Sequence, residues 1–161
     1  GSPGGDGVSL DTEVEALKKV PLFRGVDDAK LRLLAFISER MSFRPGEHLC
    51  EQGERGDVAY IILDGAADIQ ISTNHGQETV ATVKQHDVVG EIAILIDVPR
   101  TASVVATTEM KVLAIAKDNF LKLLKNFPDM AIEVMRVLAH RLERTTREVG
   151  RLRAGSAEAE Q

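Results

Sequence analysis

The sequence predicts a mainly β domain, a sandwich or roll of short strands, with helices before and after it. Three observations predict this. From Met41 to Ile115, short β-prone runs alternate with turn signals: Pro45-Gly46, Gly56-Asp57, Asp64-Gly65, Asn74-His75-Gly76 and His86-Asp87. On either side the apolar residues change to helical spacing, as at Leu10, Val14 and Leu17. Finally, 161 residues with 43% hydrophobic and 28% charged side chains make one domain, large enough to bury a core without disulfides or a metal.

Taken in order, residues 1–9 are Gly/Pro/Ser-rich and predict a disordered leader. A helix follows from Leu10 and is stopped by Pro21. Asp27 is placed to cap a second helix reaching Arg40, with Leu31, Leu34 and Ile37 on its apolar face. The β region is expected over residues 41–116. Ile69 and Ile71 on one side of Asn74, and Val80 and Thr82 on the other, predict a hairpin. Helices return over residues 117–153, first Asp118 to Phe127 and then a long one opening near Pro128. Residues 154–161 read as a flexible tail. The folded domain is therefore expected at 10–153.

Composition excludes several functions. A net charge of −5 gives no global reason to bind nucleic acid. Aromatic residues are 4% of the chain, with no Trp, which argues against stacking platforms. Cys50 is the single cysteine, so no internal disulfide forms. No apolar run reaches a membrane span and no signal peptide is visible, so a cytoplasmic location is expected. His48 and Cys50 would share a strand face, but two ligands do not make a metal site. No motif supports catalysis, and an enzyme is not expected.

The chemistry is concentrated in one run, Gly90 to Val104, GEIAILIDVPRTASV. Gly90 lets backbone approach a ligand closely. Glu91 offers a carboxylate to sugar hydroxyls. Ile92 to Leu95 can make one helical turn, with Ile92 and Ala93 at its start, whose N–H groups suit an anion. Arg100 follows a proline in apolar surroundings, and a planar guanidinium suits a two-oxygen grip on phosphate. Thr101 adds a hydroxyl and Ala102 leaves space. A sugar phosphate is the natural guest. The competing possibility is that Glu91 and Arg100 pair with each other in a turn.

This run resembles the phosphate-binding cassette of the cyclic-nucleotide-binding domain family. Arg44-Pro45-Gly46-Glu47, Gly53-Glu54-Arg55-Gly56-Asp57, Tyr60-Ile61-Ile62 and Gly65 resemble that family's glycine-punctuated strands, and Val20-Pro21-Leu22-Phe23 its entry motif. The resemblance spans about Val20 to Leu152. It implies an eight-stranded β-roll, a jelly-roll-like double-stranded β-helix, with N-terminal helices and a long C-terminal helix. It also implies a non-enzymatic regulatory domain whose ligand is cyclic AMP or cyclic GMP. By resemblance, Gly90 and Glu91 contact the ribose and Arg100 holds the phosphate. Thr101 and Ala102 complete that grip, and Ile92 and Ala93 offer backbone contacts.

The last helix carries Ala131, Met135, Leu138, Leu142, Thr145, Val149 and Leu152, spaced 4,3,4,3,4,3. This is a heptad seam. Either it pairs with a second copy in parallel, Glu148 facing Arg153 of the other helix, or it packs on its own β domain. Pro128-Asp129, Arg141-Leu142, Thr145-Thr146 and Val149-Gly150 resemble the dimerisation helix of the bacterial catabolite activators. That resemblance implies a homodimer in which Thr145 and Thr146 touch the base, one in each subunit, and it favours cyclic AMP. Thr101 is the feature that suits cyclic GMP. The eleven residues after Gly150 are too few for a helix-turn-helix, so DNA reading by this stretch is not expected. The six arginines against two glutamates between Arg136 and Arg153 read as a solvated face. Two other readings stay open: a dimerisation scaffold with an unused pocket, and the sensor half of a transcription regulator.

Overall fold

A computed structural model describes residues 3–96 and 98–160. Eight antiparallel strands form two four-stranded sheets. The first is ordered β1-β8-β3-β6 and contains β1 (Glu39–Phe43), β3 (Val58–Asp64), β6 (Val88–Val89) and β8 (Met110–Ala116). The second, ordered β2-β7-β4-β5, contains β2 (His48–Cys50), β4 (Ala67–Thr73), β5 (Gly76–Val83) and β7 (Ser103–Ala106). Helices α1 (Pro3–Lys18) and α2 (Asp28–Ile37) precede the roll, with a 3-10 turn at Pro21–Phe23 between them. A short α3 (Glu91–Leu95) interrupts it, and α4 (Lys117–Asn126) and α5 (Pro128–Glu160) follow it. The β-roll with flanking helices is thus the observed fold.

The central strands explain why their sequences are almost continuously apolar. On β3, Ala59 and Ile61 face the helices, while Tyr60 and Ile62 face the interior of the roll. β8 does the same with Leu113 and Ile115 against Val112 and Ala114. A strand covered on both faces loses polar alternation. Two cores result. One joins this sheet to α1, α2, α4 and the start of α5 through Leu17, Phe23, Leu31, Phe120 and Met130. The other fills the roll. The scarce aromatics serve these cores: Phe23 packs on Phe120 and Phe43 meets Tyr60 edge-on. At the edge of the fold, buried Glu13 on α1 takes a two-point contact from Arg40 on β1, with Nη2 to Oε2 at 2.9 Å.

Local chemistry sets several boundaries. Asp27 caps α2 by accepting the Lys30 N–H at 3.0 Å. α2 ends at Ile37 and not at Arg40, since Ser38 is extended and β1 begins at Glu39. α1 starts at Pro3 and not Leu10, as proline is favoured at a helix's first position. Of the expected leader, residues 1 and 2 lie outside the described part. α5 runs on past Arg153 to Glu160 through an Ala- and Glu-rich stretch of high helix propensity. The hairpin joins β4 and β5 as expected, with Thr73 opposite Gly76 and a bulge between Ile69 and Gln70.

The turn into β6 holds His86 at φ 76°, left-handed for a residue with a Cβ. Hydrogen bonds impose this: His86 N–H donates to Ile62 O at 2.8 Å, and Asp87 O accepts from Ile62 N–H at 3.0 Å. Left-handed backbone costs a non-glycine residue about 1–2 kcal/mol, against about 0.5–1 kcal/mol of chain entropy for glycine. His86→Gly is therefore expected to raise stability by about 0.5–1 kcal/mol, and His86→Val, with a β-branched side chain, to lower it. Urea unfolding of the three proteins measures this.

Candidate nucleotide site

Gly90, Glu91, Arg100, Thr101 and Ala102 converge on one cavity of about 240 Å³. Its apolar walls come from Ile69, Val88, Val98 and Val104, with the Cys50 side chain among them. No aromatic residue is among the described residues that line it. The lining therefore combines a cation and a carboxylate with aliphatic side chains, which suits a guest with both charged and apolar parts.

Arg100 is only 8% exposed. It sits in the connection between α3 and β7, and its position comes from a distant segment. Its N–H donates to Glu54 O at 2.7 Å, and its carbonyl accepts from Gly53 N–H at 2.9 Å. Nη2 donates to Val58 O at 2.5 Å. Nη1 is fully buried and has no hydrogen-bond partner among the described residues. A buried charged donor left unpaired is costly, on the order of 1–3 kcal/mol or more. Gly90 makes the arrangement possible. With φ at +87°, it presents no side chain where a Cβ would collide with Arg100 Nη1 and crowd Val58 O.

Glu91 is largely buried, with its side chain 14% exposed, and pairs with Arg141 of α5, Nη1 to Oε1 at 2.6 Å. The alternative in which Glu91 and Arg100 neutralise each other is therefore not the arrangement here. Each has a different partner, and Arg100 keeps a free donor. Arg141 is the residue that sequence reading missed as part of this site. It lies 50 positions from Glu91, beyond any local spacing signal.

The backbones of Ile92 and Ala93 lie on α3; their side chains fall outside the described part. Thr145 and Thr146 are not brought to the cavity. Both are exposed on α5, and their hydroxyls donate back to Arg141 O and Leu142 O, each at 2.9 Å. Burial pushes the Cys50 thiol above its ordinary pKa, opposed more weakly by the Arg100 cation. It is a protonated wall residue at neutral pH. Among the described residues, no group of three or more His, Cys, Asp or Glu could hold a metal. No helix is long and apolar enough to cross a membrane.

The apolar residues of α5 divide between two faces. Met130 and Val134 are buried in the helix-side core, and Val137 and Leu138 pack against it. Met135, Leu142, Val149 and Leu152 stay exposed, Met135 at 58% and Leu142 at 67%. Leu138 thus packs at home, whereas most of the predicted seam does not. Glu148 pairs within its own helix, with Arg151 at 2.5 Å.

The fold, and the buried Arg100 packed against Gly90 across a loop that carries the short α3, define a ligand-binding β-roll domain. The model of the cyclic nucleotide-binding domain matches residues 40–127, and the chain belongs to that family. Among its relatives is the cAMP-dependent protein kinase regulatory subunit of Yarrowia lipolytica, 37% identical over 108 residues. A CRP-like cAMP-activated global transcriptional regulator of Mycobacterium tuberculosis is 30% identical over 132 residues, 81% of this chain. The chain spans 28% of the first relative's length and 59% of the second's. The N-terminal domain of a transcriptional regulator from Streptomyces coelicolor superposes with a TM-score of 0.75 at 28% identity, covering 81% of this chain and 94% of that one. The Thermus thermophilus catabolite activator protein gives 0.72 at 26% identity, covering 82% and 62%.

Two glycine substitutions separate the role of Gly90 from that of an ordinary glycine. Gly90→Ala is expected to cost at least about 1 kcal/mol from backbone strain alone, with the guanidinium displaced in addition. Gly150→Ala lies inside α5 with nothing within 4 Å of its Cβ, and should gain about 0.5–1 kcal/mol. Chemical denaturation of both reads the difference in sign.

Proposed function

We propose that this chain is a non-enzymatic sensor that takes cyclic AMP in preference to cyclic GMP and transmits binding through α5. The unpaired, buried Nη1 of Arg100 carries the reading. A phosphate oxygen supplies the acceptor that this donor lacks, and in a dry site such a charge-assisted bond is among the stronger polar contacts. Glu91 takes the ribose hydroxyls, and the N–H groups and hydroxyl of Thr101 and Ala102 close round the phosphate, with Gly90 giving room. The backbones of Ile92 and Ala93 complete that side. Preference for cyclic AMP is supported by the cyclic-AMP-linked relatives and by the Thr145-Thr146 pair, whose hydroxyls keep free lone pairs for a base amino group. Cyclic GMP is the alternative, through the Thr101 hydroxyl.

Transmission has a physical handle in the Glu91–Arg141 pair. Ribose hydroxyls and Arg141 address the same carboxylate, so a ligand that engages Glu91 differently in two positions of α5 shifts the balance between them. The output is carried by a homodimer. The exposed stripe Met135, Leu142 and Val149 repeats every seven residues, the period of a paired helix. Thr145 and Thr146 flank that stripe, which supports base contacts made at the helix pair. A scaffold that ignores its pocket is the rival, and it predicts no nucleotide-dependent change in melting temperature.

Calorimetric titration with cyclic AMP and cyclic GMP tests the ligand. Arg100→Ala is expected to weaken binding at least about 100-fold, since a desolvated charged contact is lost. Equal affinity of the two proteins would remove the assignment. For the dimer, Leu142→Glu places a charge in the stripe and should give monomer in sedimentation equilibrium where the parent protein sediments as dimer. An unchanged mass distribution would exclude α5 as the interface.

A further inference from the structure

We propose that Ser103 is a positioning residue for Arg100, acting through the loop that joins β2 to β3. The inference rests on the reading of Arg100 as the phosphate ligand. Arg100 belongs to no helix or strand, yet its guanidinium is fixed. Its described hydrogen bonds are all supplied by residues 53–58: Gly53 and Glu54 by backbone, Val58 by its carbonyl. Pro99 forms a bridge with Arg55 next to them. The position of Arg100 is thus the position of this loop.

At its start, the loop is tied to β7 by one buried hydroxyl. β2 and β7 pair only as far as Cys50 opposite Val104, with a register shift between His48 and Cys50. Pairing resumes at Gly53 and Glu54 opposite Arg100. Between the two stretches, the Gln52 N–H donates to Ser103 Oγ at 2.9 Å. The hydroxyl takes the place of a missing carbonyl acceptor at the break in the ladder. Ser103 is 8% exposed, so water does not readily substitute for it. From the same residue, the Gln52 side-chain Oε1 accepts the Ser72 N–H of β4 at 2.8 Å. One buried oxygen therefore ties the loop to β7, and the loop's amide side chain ties it to β4. Remove the oxygen, and the loop gains freedom where Arg100 needs it fixed. Ligand binding then has to order the loop, and affinity falls.

The experiment is titration calorimetry with cyclic AMP on the parent protein, Ser103→Ala, Ser103→Thr, Arg100→Gln and the Ser103→Ala/Arg100→Gln double variant. Ser38→Ala serves as the control. Its hydroxyl is also buried, bonded to Leu34 O at 2.6 Å, but is unconnected to the cavity. Ser103→Ala should weaken binding about tenfold, and Ser103→Thr, which keeps the oxygen, should restore it. Adding Ser103→Ala to Arg100→Gln should change the residual affinity little, because the two act on one contact. Ser38→Ala should lower the melting temperature without altering affinity. If Arg100→Gln weakens binding but Ser103→Ala does not, or if Ser103→Ala weakens the Arg100→Gln protein by the same factor, the positioning role is wrong while the phosphate assignment stands. If the parent protein binds neither cyclic AMP nor cyclic GMP, the functional reading and this inference fall together.

Discussion

A single buried guanidinium organises this structure. Arg100, itself only 8% exposed, brings a full positive charge into the fold, and the chain satisfies only part of it. Nη2 has the Val58 carbonyl, while Nη1 has none among the described residues. Around this charge the rest is constrained. Gly90 must lack a Cβ, the residue 53–55 segment must run alongside residues 99–100, and β3 must begin where its first carbonyl can meet the side chain. On the proposed reading, the cost of the unpaired donor would be recovered when a phosphate binds. A fully paired arginine would stabilise the empty domain and offer a phosphate less.

The helix-side core and the cavity are joined by one helix. α5 is anchored at its start by Met130 and Val134, then crosses to the cavity, where Arg141 meets Glu91. Beyond Arg141 every described residue of the helix up to Ser156 is exposed. The same helix is therefore core, pocket contact and free surface along its length. Under the proposed function, a change at Glu91 would reach this helix through Arg141, and the far part of the helix carries the apolar stripe. The heptad spacing was legible because it persists for three repeats, but spacing alone could not say which repeats face home. Burial decides that, and it divides the seam between Leu138 and the exposed Met135, Leu142 and Val149.

What else the sequence disclosed follows from whether the chemistry was local. The cassette was readable because Gly90, Glu91, Arg100, Thr101 and Ala102 lie within thirteen residues and share one cavity. The hairpin at Asn74 and the cap at Asp27 were readable for the same reason. The Val58 carbonyl, Arg141 and Ser103 were not, since each acts across 42 to 51 positions of chain. The paucity of aromatics was visible at once, and its structural meaning emerges here: Phe23, Phe120, Phe43 and Tyr60 are spent on packing, and the cavity is walled by aliphatics. The lone cysteine is one of those walls, held as a thiol by burial.

The central claim is that the unpaired nitrogen of Arg100 is the phosphate contact. A crystal structure of the domain with cyclic AMP tests it most directly. The account predicts an exocyclic phosphate oxygen about 2.7–2.9 Å from Arg100 Nη1, with Nη2 still on the Val58 carbonyl. A nucleotide bound with Nη1 still unpaired, or bound outside the Gly90–Ala102 cavity, would contradict it.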